Sequence, residues 1–553
     1  MATHGEDGMN KFTLITAFFL FLIGGVAVAG ATEIHITTVA GLQAIQADLG
    51  GTYVLDNDLD LNGSVFTPLG HYWAPFAGTF DGKGHTIANF VLNKQEATGQ
   101  GLFGCSGGTI RNLKLKNSRL TPDVDTNYVG SLVGWNTLSG TVSTITVQDV
   151  VVQGGADVGG IVGRNDGSIT NCSAANATIT NPTYGGGIAG TNRGSIRNCT
   201  VLSSTISCGS DGGGITGFSE QDVIESKQRQ PVVTNCTVRS TTVTGHGPIG
   251  GLIGAINADF RAGVTLSNSS VEDSTIRGIR GIDGSEDIGG GVGYVMGGRV
   301  GNCSVLRTIV EGDKNVGGFA GESGDGQITD STASATVTST GQGQSYGGFI
   351  GRNEGMINRC TASGPTNDKN VGTMTGGFVG ANMQPGIINS CTASGDVTGN
   401  NRVGGFGGYN QGGATIADSS ASGTVSGVSE TGAFIGVNNG LIRNCSLVPL
   451  TRTSQSPRTD RQQSLQVQTN SNYGMKLTST PLYDQAREDA CDAVLAGSVP
   501  VDEFVRMVND EVIMTTLQQT GPMTSSASIS KIKKQPDAFT HHNCGTGKIE
   551  NKP

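Results

Sequence analysis

The chain has 553 residues, 89 of them glycine, with 5% aromatic and 14% charged residues and a formal net charge of −10. Glycine at about twice its usual share, without a strict every-third-residue period, excludes collagen; Val, Ile, Leu and Phe recurring at fixed places exclude a disordered polar chain. The acidic balance speaks against nucleic acid as a partner.

Residues 1–31 read as an export signal. Lys11 precedes the apolar run FTLITAFFLFLIGGVAVAG, and Ala27, Ala29 and Ala31 offer small-residue cleavage sites. An uncleaved membrane anchor is the competing reading, since the run approaches spanning length. The segment implies Sec-type export machinery as a partner and a secreted or cell-surface location. Residues 32–98 read as an N-terminal cap and the first turns of a repeat. Val39, Leu42, Ile45 and Leu49 lie at helical spacing and suit a cap over an open sheet edge. Next, Asp56, Asp58 and Asp60 share one strand parity; they read as a solvated edge, with calcium binding as the rival. Asp81 and His85 in DGKGH read as turn residues.

Residues 99–448 repeat one sentence. Aligning the last glycine of G-G-x-x-G gives twelve copies, at Gly104, Gly134, Gly163, Gly190, Gly217, Gly254, Gly293, Gly321, Gly351, Gly380, Gly408 and Gly436. Two residues earlier, eleven of the twelve are large and apolar (Leu102 to Phe434, with Gly291 the exception), so this column faces a core. The next column tolerates Phe103, Ala189, Thr216 and Gly407, which suggests the opposite side of a strand. The N-x-G that follows in several copies reads as a positive-φ corner. Two further strands, I-x-N-C-x-A/V and SGDVTG-like, complete a unit of about 28 residues. Three short strands cannot close a core alone, but stacked copies can. The prediction is all-β: a right-handed parallel β-helix of about 12–14 turns, monomeric, with a short N-terminal cap helix and a small C-terminal helical segment.

Cys172, Cys199, Cys236, Cys303, Cys360, Cys391 and Cys445 share one column with Ser269, Ser331, Ser419, Leu113 and Ile145. A metal ligand set would not accept Leu or Ile, so the column reads as small buried thiols; disulfides between adjacent turns are the alternative. The N-C-S/T triplets match the N-glycosylation pattern and read more simply as strand-edge residues.

The G-G-[FILV]-[VI]-G-x-N-x-G-x-I-x-x-C-x-A sentence resembles the GLUG-motif repeat of exported bacterial surface proteins, most closely in GSLVG at 130 and GGLIG at 250. The leader GLQAIQADLGGTYVLDNDLDL resembles the segment that precedes such repeats, and the likeness runs over about 33–448. It implies a parallel β-helix stalk in adhesin-like or secreted proteins, and it carries no catalytic residues to transfer.

Two long repeats interrupt the pattern between Gly217 and Gly293. Their insertions bring Glu220, Asp222, Glu225, Lys227 and Arg229 into the same stretch as Asp259 and Arg261, a candidate lateral binding patch. Residues 449–478 read as a polar linker. Residues 479–520 read as helical, with Val501, Phe504, Val505, Val508 and Val512 as an apolar stripe, and 521–553 as a disordered tail. HExxH, the P-loop and zinc-type cysteine pairs are absent from the sequence. The expected function is an exported or cell-surface, adhesin-like protein binding a glycan or protein ligand on a lateral face, without catalysis, cofactor or metal. A secreted effector, a spacer stalk, or a polysaccharide lyase or hydrolase are the alternatives.

Overall fold

The computed structural model describes residues 32–448, apart from 93–98, 123–126, 182, 222, 225–226, 229, 259–262, 281–285, 342 and 369–373. The export segment, the linker, the helical segment and the tail expected from the sequence lie outside the described residues.

One turn explains the rest. Asp157–Gly159, Val162–Asn165, Ser168–Thr170, Ser173–Ala175 and Thr178–Asn181 are five short strands. Each pairs in parallel with its counterpart 27 residues on: Asp157 with Tyr184, Val162 with Ala189, Ser168 with Ser195, Ser173 with Thr200, Thr178 with Thr205. The first strands stack twelve deep, from Gly99–Gln100 to Ser429–Gly432, and so do the second strands, from Phe103–Ser106 to Ile435–Asn438. The result is a parallel β-solenoid of twelve turns in which each strand is held by the turns before and after it.

That turn has five strands where the sequence suggested three, because asparagine bends the chain twice more. In every turn the residue before the sulfur column has positive φ: Asn112, Thr144, Asn171, Asn198, Asn235, Asn268, Asn302, Asp330, Arg359, Ser390, Asp418 and Asn444. Seven of the twelve are asparagine, the non-glycine residue that best tolerates this region. Asn176, five residues after Asn171, makes the next bend the same way, at φ 52°. The Asn of N-C-S/T is therefore a corner residue. Its amide joins a surface ladder, with Asn198 donating to Asn171 (3.0 Å) and Asn235 to Asn198 (3.1 Å).

The expected N-x-G corner is built differently. Asn136, Asn165, Asn192, Asn353, Asn382 and Asn410 are fully buried. They form amide ladders inside the solenoid: Asn136 donates to Asn165, Asn165 to Asn192, Asn353 to Asn382 (each 2.8 Å), and Asn382 to Asn410 (2.9 Å). The glycine two residues later is required by close approach, since a Cβ on Gly167 or Gly194 would collide with the carbonyl of the equivalent glycine one turn before.

The apolar column from Leu102 to Phe434 lines the core. The adjacent column does not face out: Phe103, Val133, Val162, Ile253 and Ile350 are buried in the same core. Ile161 and Val162 both donate to the Ile188 carbonyl (3.1 and 2.9 Å), so the chain bends there and simple strand alternation fails.

The sulfur column is interior, as expected. Six of its cysteines are buried, Cys445 in the last turn is half-buried, and all are free thiols. Each Sγ lies against the carbonyl two residues back, from 3.1 Å at Cys391 to 3.3 Å at Cys360. Ser269 and Ser331 make the same bond at 2.8 Å, which explains why serine shares the slot. At the N-terminal end a short helix, α1 (Val39–Ala44), starts at Thr38, whose side chain accepts from the Gly41 N–H. Leu42 and Ile45 are buried against the core, and Gln43 and Gln46 bond the backbone of Thr67 and Gly70. The predicted helical spacing is thus present in a shorter helix finished by a 3-10 turn, Ile45–Ala47.

Candidate functional site

The outward-facing column on the second strands is the residue after each aligned glycine, half-buried at Trp135, Arg164 and Phe218 and buried at Thr191. Parallel register stacks Trp135 on Arg164, Arg164 on Thr191 and Thr191 on Phe218. Both tryptophans of the chain lie against Tyr72 near the start of this column. His71 and Ala74 bond each other's backbone twice at 3.0 Å, closing a tight tip that carries Tyr72 and Trp73 into solvent. Trp73 is 85% exposed and Tyr72 44%. The Tyr72 ring stacks on Trp135 at 5.2 Å and meets Trp73 edge-on at 4.6 Å. Below them the Arg164 guanidinium lies over Trp135 (5.2 Å) and Tyr128 (5.5 Å) and donates to the Tyr128 hydroxyl.

Asp166 locks the platform. It is buried and accepts from Trp135 Nε1 (2.6 Å) and Arg164 Nε (3.1 Å), fixing the orientation of both flat groups. It also lines a shallow groove of about 350 Å³ that continues past Leu138, Ser168, Arg193 and Gln230. On the neighbouring first-strand column, Asp157 sits between Tyr128 and Tyr184. Burial, opposed by the weaker pull of the Arg164 and Arg193 charges, pushes its carboxyl up to about 7.

Of the predicted lateral patch, Glu220 is described at the end of Thr216–Glu220, where it accepts from Arg193 Nε at 2.6 Å. Lys227 is in the short strand Lys227–Gln228, antiparallel to Val223–Ile224. Asp222, Glu225, Arg229, Asp259 and Arg261 lie outside the described residues. The structure thus unites Glu220 with an arginine that the sequence reading did not single out, at the edge of the groove. The aspartates considered for calcium are engaged separately: Asp56 with His35 (2.9 Å), Asp58 with the Thr86 N–H (2.8 Å), Asp60 with Asn89 (2.8 Å). Among the described residues no three His, Cys, Asp or Glu converge as a metal site.

A second polar cluster lies further along the same columns. Asn315 Nδ2 donates to both Asp287 (3.0 Å) and Glu322 (2.7 Å), bringing the two carboxyls together, while Lys314 pairs with Glu286 (2.6 Å) and Arg352 with Glu322 (3.1 Å). Burial, then the Glu322 charge, pushes Asp287 up to about 7.

The family description "The GLUG motif" matches residues 154–180, 312–338, 371–398 and 399–426, each about one turn of the solenoid. The chain carries repeats of the GLUG motif. In structural terms a GLUG motif here begins just before a first strand and ends in the fifth, so one motif is one turn. The chain is similar to halomucin of Haloquadratum walsbyi, 34% identical over 145 residues, which is 24% of this chain and 2% of that protein. It is also similar to a protein of Evansella cellulosilytica named as a Gly-rich membrane protein, 29% identical over 171 residues, 24% of this chain and 19% of that one. The GLUG chain therefore matches only a small part of either relative. Tailspike protein 3 of bacteriophage CBA120 is a similar solved structure at 13% identity, with a TM-score of 0.28, covering 79% of this chain and 63% of that chain.

The GLUG consensus hides the platform. Its fixed letters are core and corner residues, whereas Trp135, Arg164, Phe218, Tyr294 and Arg352 occupy its variable slot. The signal available in the sequence was the large aromatic and charged residues in that slot, beside the pair Tyr72–Trp73.

Proposed function

We propose that this GLUG-repeat solenoid is a surface-associated protein, exported by its N-terminal segment, that binds glycans on its lateral face at the Trp73–Trp135 platform. One observation carries the reading: the two tryptophans of a chain with few aromatics are gathered on the outside, one of them almost wholly exposed and the other oriented by a buried aspartate. Exposed flat rings flanked by fixed hydrogen-bonding groups match the two sides of a sugar ring, its C–H face and its hydroxyl rim. The names of halomucin and the Gly-rich membrane protein support a surface setting. Trp73→Ala tests it on the full chain, by binding to an immobilised glycan panel. Loss of binding with an unchanged melting temperature supports the reading, and unchanged binding refutes it.

A second reading, glycan cleavage, is favoured by Asp287 and Glu322, two neighbouring carboxyls of which the first, its proton affinity raised by burial and by the Glu322 charge, can act as a general acid. New reducing ends released from a bound glycan by the parent chain, and not by Asp287→Asn, would establish it.

A further inference from the structure

We propose that the platform and the adjoining groove form one continuous site for an extended, uncharged glycan chain lying parallel to the solenoid axis. The inference rests on the glycan-binding reading above and adds the ligand's direction, length and charge.

Continuity comes from Asp166. The carboxylate that holds Trp135 and Arg164 is also a wall of the groove, so no barrier separates stacking surface from polar trough. Direction comes from register. The groups that line the site stand on successive turns at equivalent positions: Trp135 on Arg164 in one column, Ser168 on Ser195 in another. Adjacent strands are about 4.8 Å apart, so the site repeats along the axis and is narrow around the circumference. From Trp135 to Arg193 is two steps, with Tyr72 and Trp73 beyond one end and Gln230 beyond the other. The whole spans roughly 20 Å, four such steps. A single sugar covers a fraction of that, and an extended oligosaccharide covers it all.

Charge follows from the pairing. Arg164 is matched by Asp166 and Arg193 by Glu220, so each cation along the path has its own carboxylate within hydrogen-bond distance. A sulfated or uronic chain would have to displace these carboxylates. A neutral chain would not, because hydroxyls both donate and accept and can bridge to either member of a pair. Ser139, Ser168 and Ser195 add hydroxyls of the same double character along the trough.

The experiment is a calorimetric length series on the full chain, using neutral cello-, malto- and manno-oligosaccharides of increasing length and oligogalacturonates of the same lengths. The expected result is affinity that rises roughly tenfold or more from disaccharide to the longest neutral oligomer, about 1.4 kcal/mol, with the uronates weaker. Gln230→Ala and Ser139→Trp, both on exposed positions of the groove, should weaken long oligomers and spare short ones. Trp73→Ala should weaken both. Affinity independent of length, with Trp73→Ala still damaging, would overturn the continuous site and leave the platform reading intact. Tighter binding of the uronates would overturn the neutral ligand. If neither series binds while a peptide ligand competes at Trp73, both this inference and the glycan reading fall.

Discussion

The two halves of the solenoid fill the same core column differently. From Leu102 to Leu252 the core column is aliphatic, and rings stand outside at Trp135, Tyr128, Tyr184 and Phe218, the last two stacked at 5.0 Å. From Phe319 to Phe434 the core column is phenylalanine, stacked ring on ring at 4.8–5.0 Å and nearly parallel. Gly291 marks the change. A Cβ there would stand 3.3 Å from the Phe319 ring, so the first ring of the stack fills the space its side chain would take. The difference separates packing from function. Inner rings are explained wholly by the core they fill. Outer rings are not needed for stacking, because the turns around Phe349 and Phe378 fold with Arg352 and Ala381 in the same outward slots.

The sharpest break of this comparison is Phe378→Ala against Trp73→Ala. The first removes a ring with neighbours on both sides and should cost about 3–5 kcal/mol in urea unfolding; the second should fall within about 0.5 kcal/mol. Because each turn contacts only its neighbours, hydrogen exchange should show lost protection around 349–406 and retained protection around 132–215. Equal effects of the two variants would erase the distinction. A smaller loss, about 2 kcal/mol, is expected for Asn382→Ala, which leaves the buried Asn353 amide without its acceptor and the Asn410 carbonyl without its donor. The same ladder position holds Ile256 and Val295 in consecutive turns, so the penalty belongs to the broken pair and not to the loss of polarity. Replacing Asn353, Asn382 and Asn410 together by Val should therefore cost less than three single losses summed.

The third test uses pH and sharpens the platform side. Asp157 has its proton affinity raised, from the usual 3.8 to about 7, mainly by burial. The folded state thus binds the proton more tightly than the unfolded state. Its contribution is fully present below about pH 4 and is lost as pH rises through 7. Asp157→Asn should match the parent at pH 4 and exceed it at pH 8 by up to about 4 kcal/mol, since about three factors of ten in proton affinity are each worth about 1.4 kcal/mol. A variant no more stable than the parent at pH 8 would place the ionised carboxylate in a better solvated site than its 6% exposure implies.

How much of this was legible depends on what repeats. Columns that recur in twelve copies, such as Leu102 to Phe434 and the sulfur slot, could be read as interior because tolerance is visible within the chain itself. The two asparagines could not be told apart. Asn165 and Asn171 look alike in sequence, yet one is a buried ladder amide and the other a left-handed corner, and only the turn-to-turn register distinguishes them. Strand count failed for the same reason: a single positive-φ residue ends a strand without a glycine to announce it. The platform was hidden because it is made by what does not repeat, and because Tyr72 reaches Trp135 across 63 residues of chain.

The smallest expected effect is Cys360→Ser. The Cys360 thiol is buried and points at the Asn358 carbonyl, 3.3 Å away. Serine in the same slot makes that bond shorter, as Ser331 does one turn earlier at 2.8 Å, and so gains hydrogen-bond energy; it is also smaller than cysteine and gives up packing. The two changes oppose each other, and the net loss should stay under about 1 kcal/mol. Cys360→Ala has no compensating donor and leaves the carbonyl facing a gap, so it should cost more than serine, roughly 1–2 kcal/mol. The order parent, serine, alanine in melting temperature is the outcome that identifies a space-filling donor. Burial also pushes the Cys303 thiol up to about 11 and Cys208 to about 12, so these sulfurs should resist alkylation until the solenoid is unfolded. Rapid labelling of the native chain, or a serine variant that fails to fold, would mean that the sulfur itself is required.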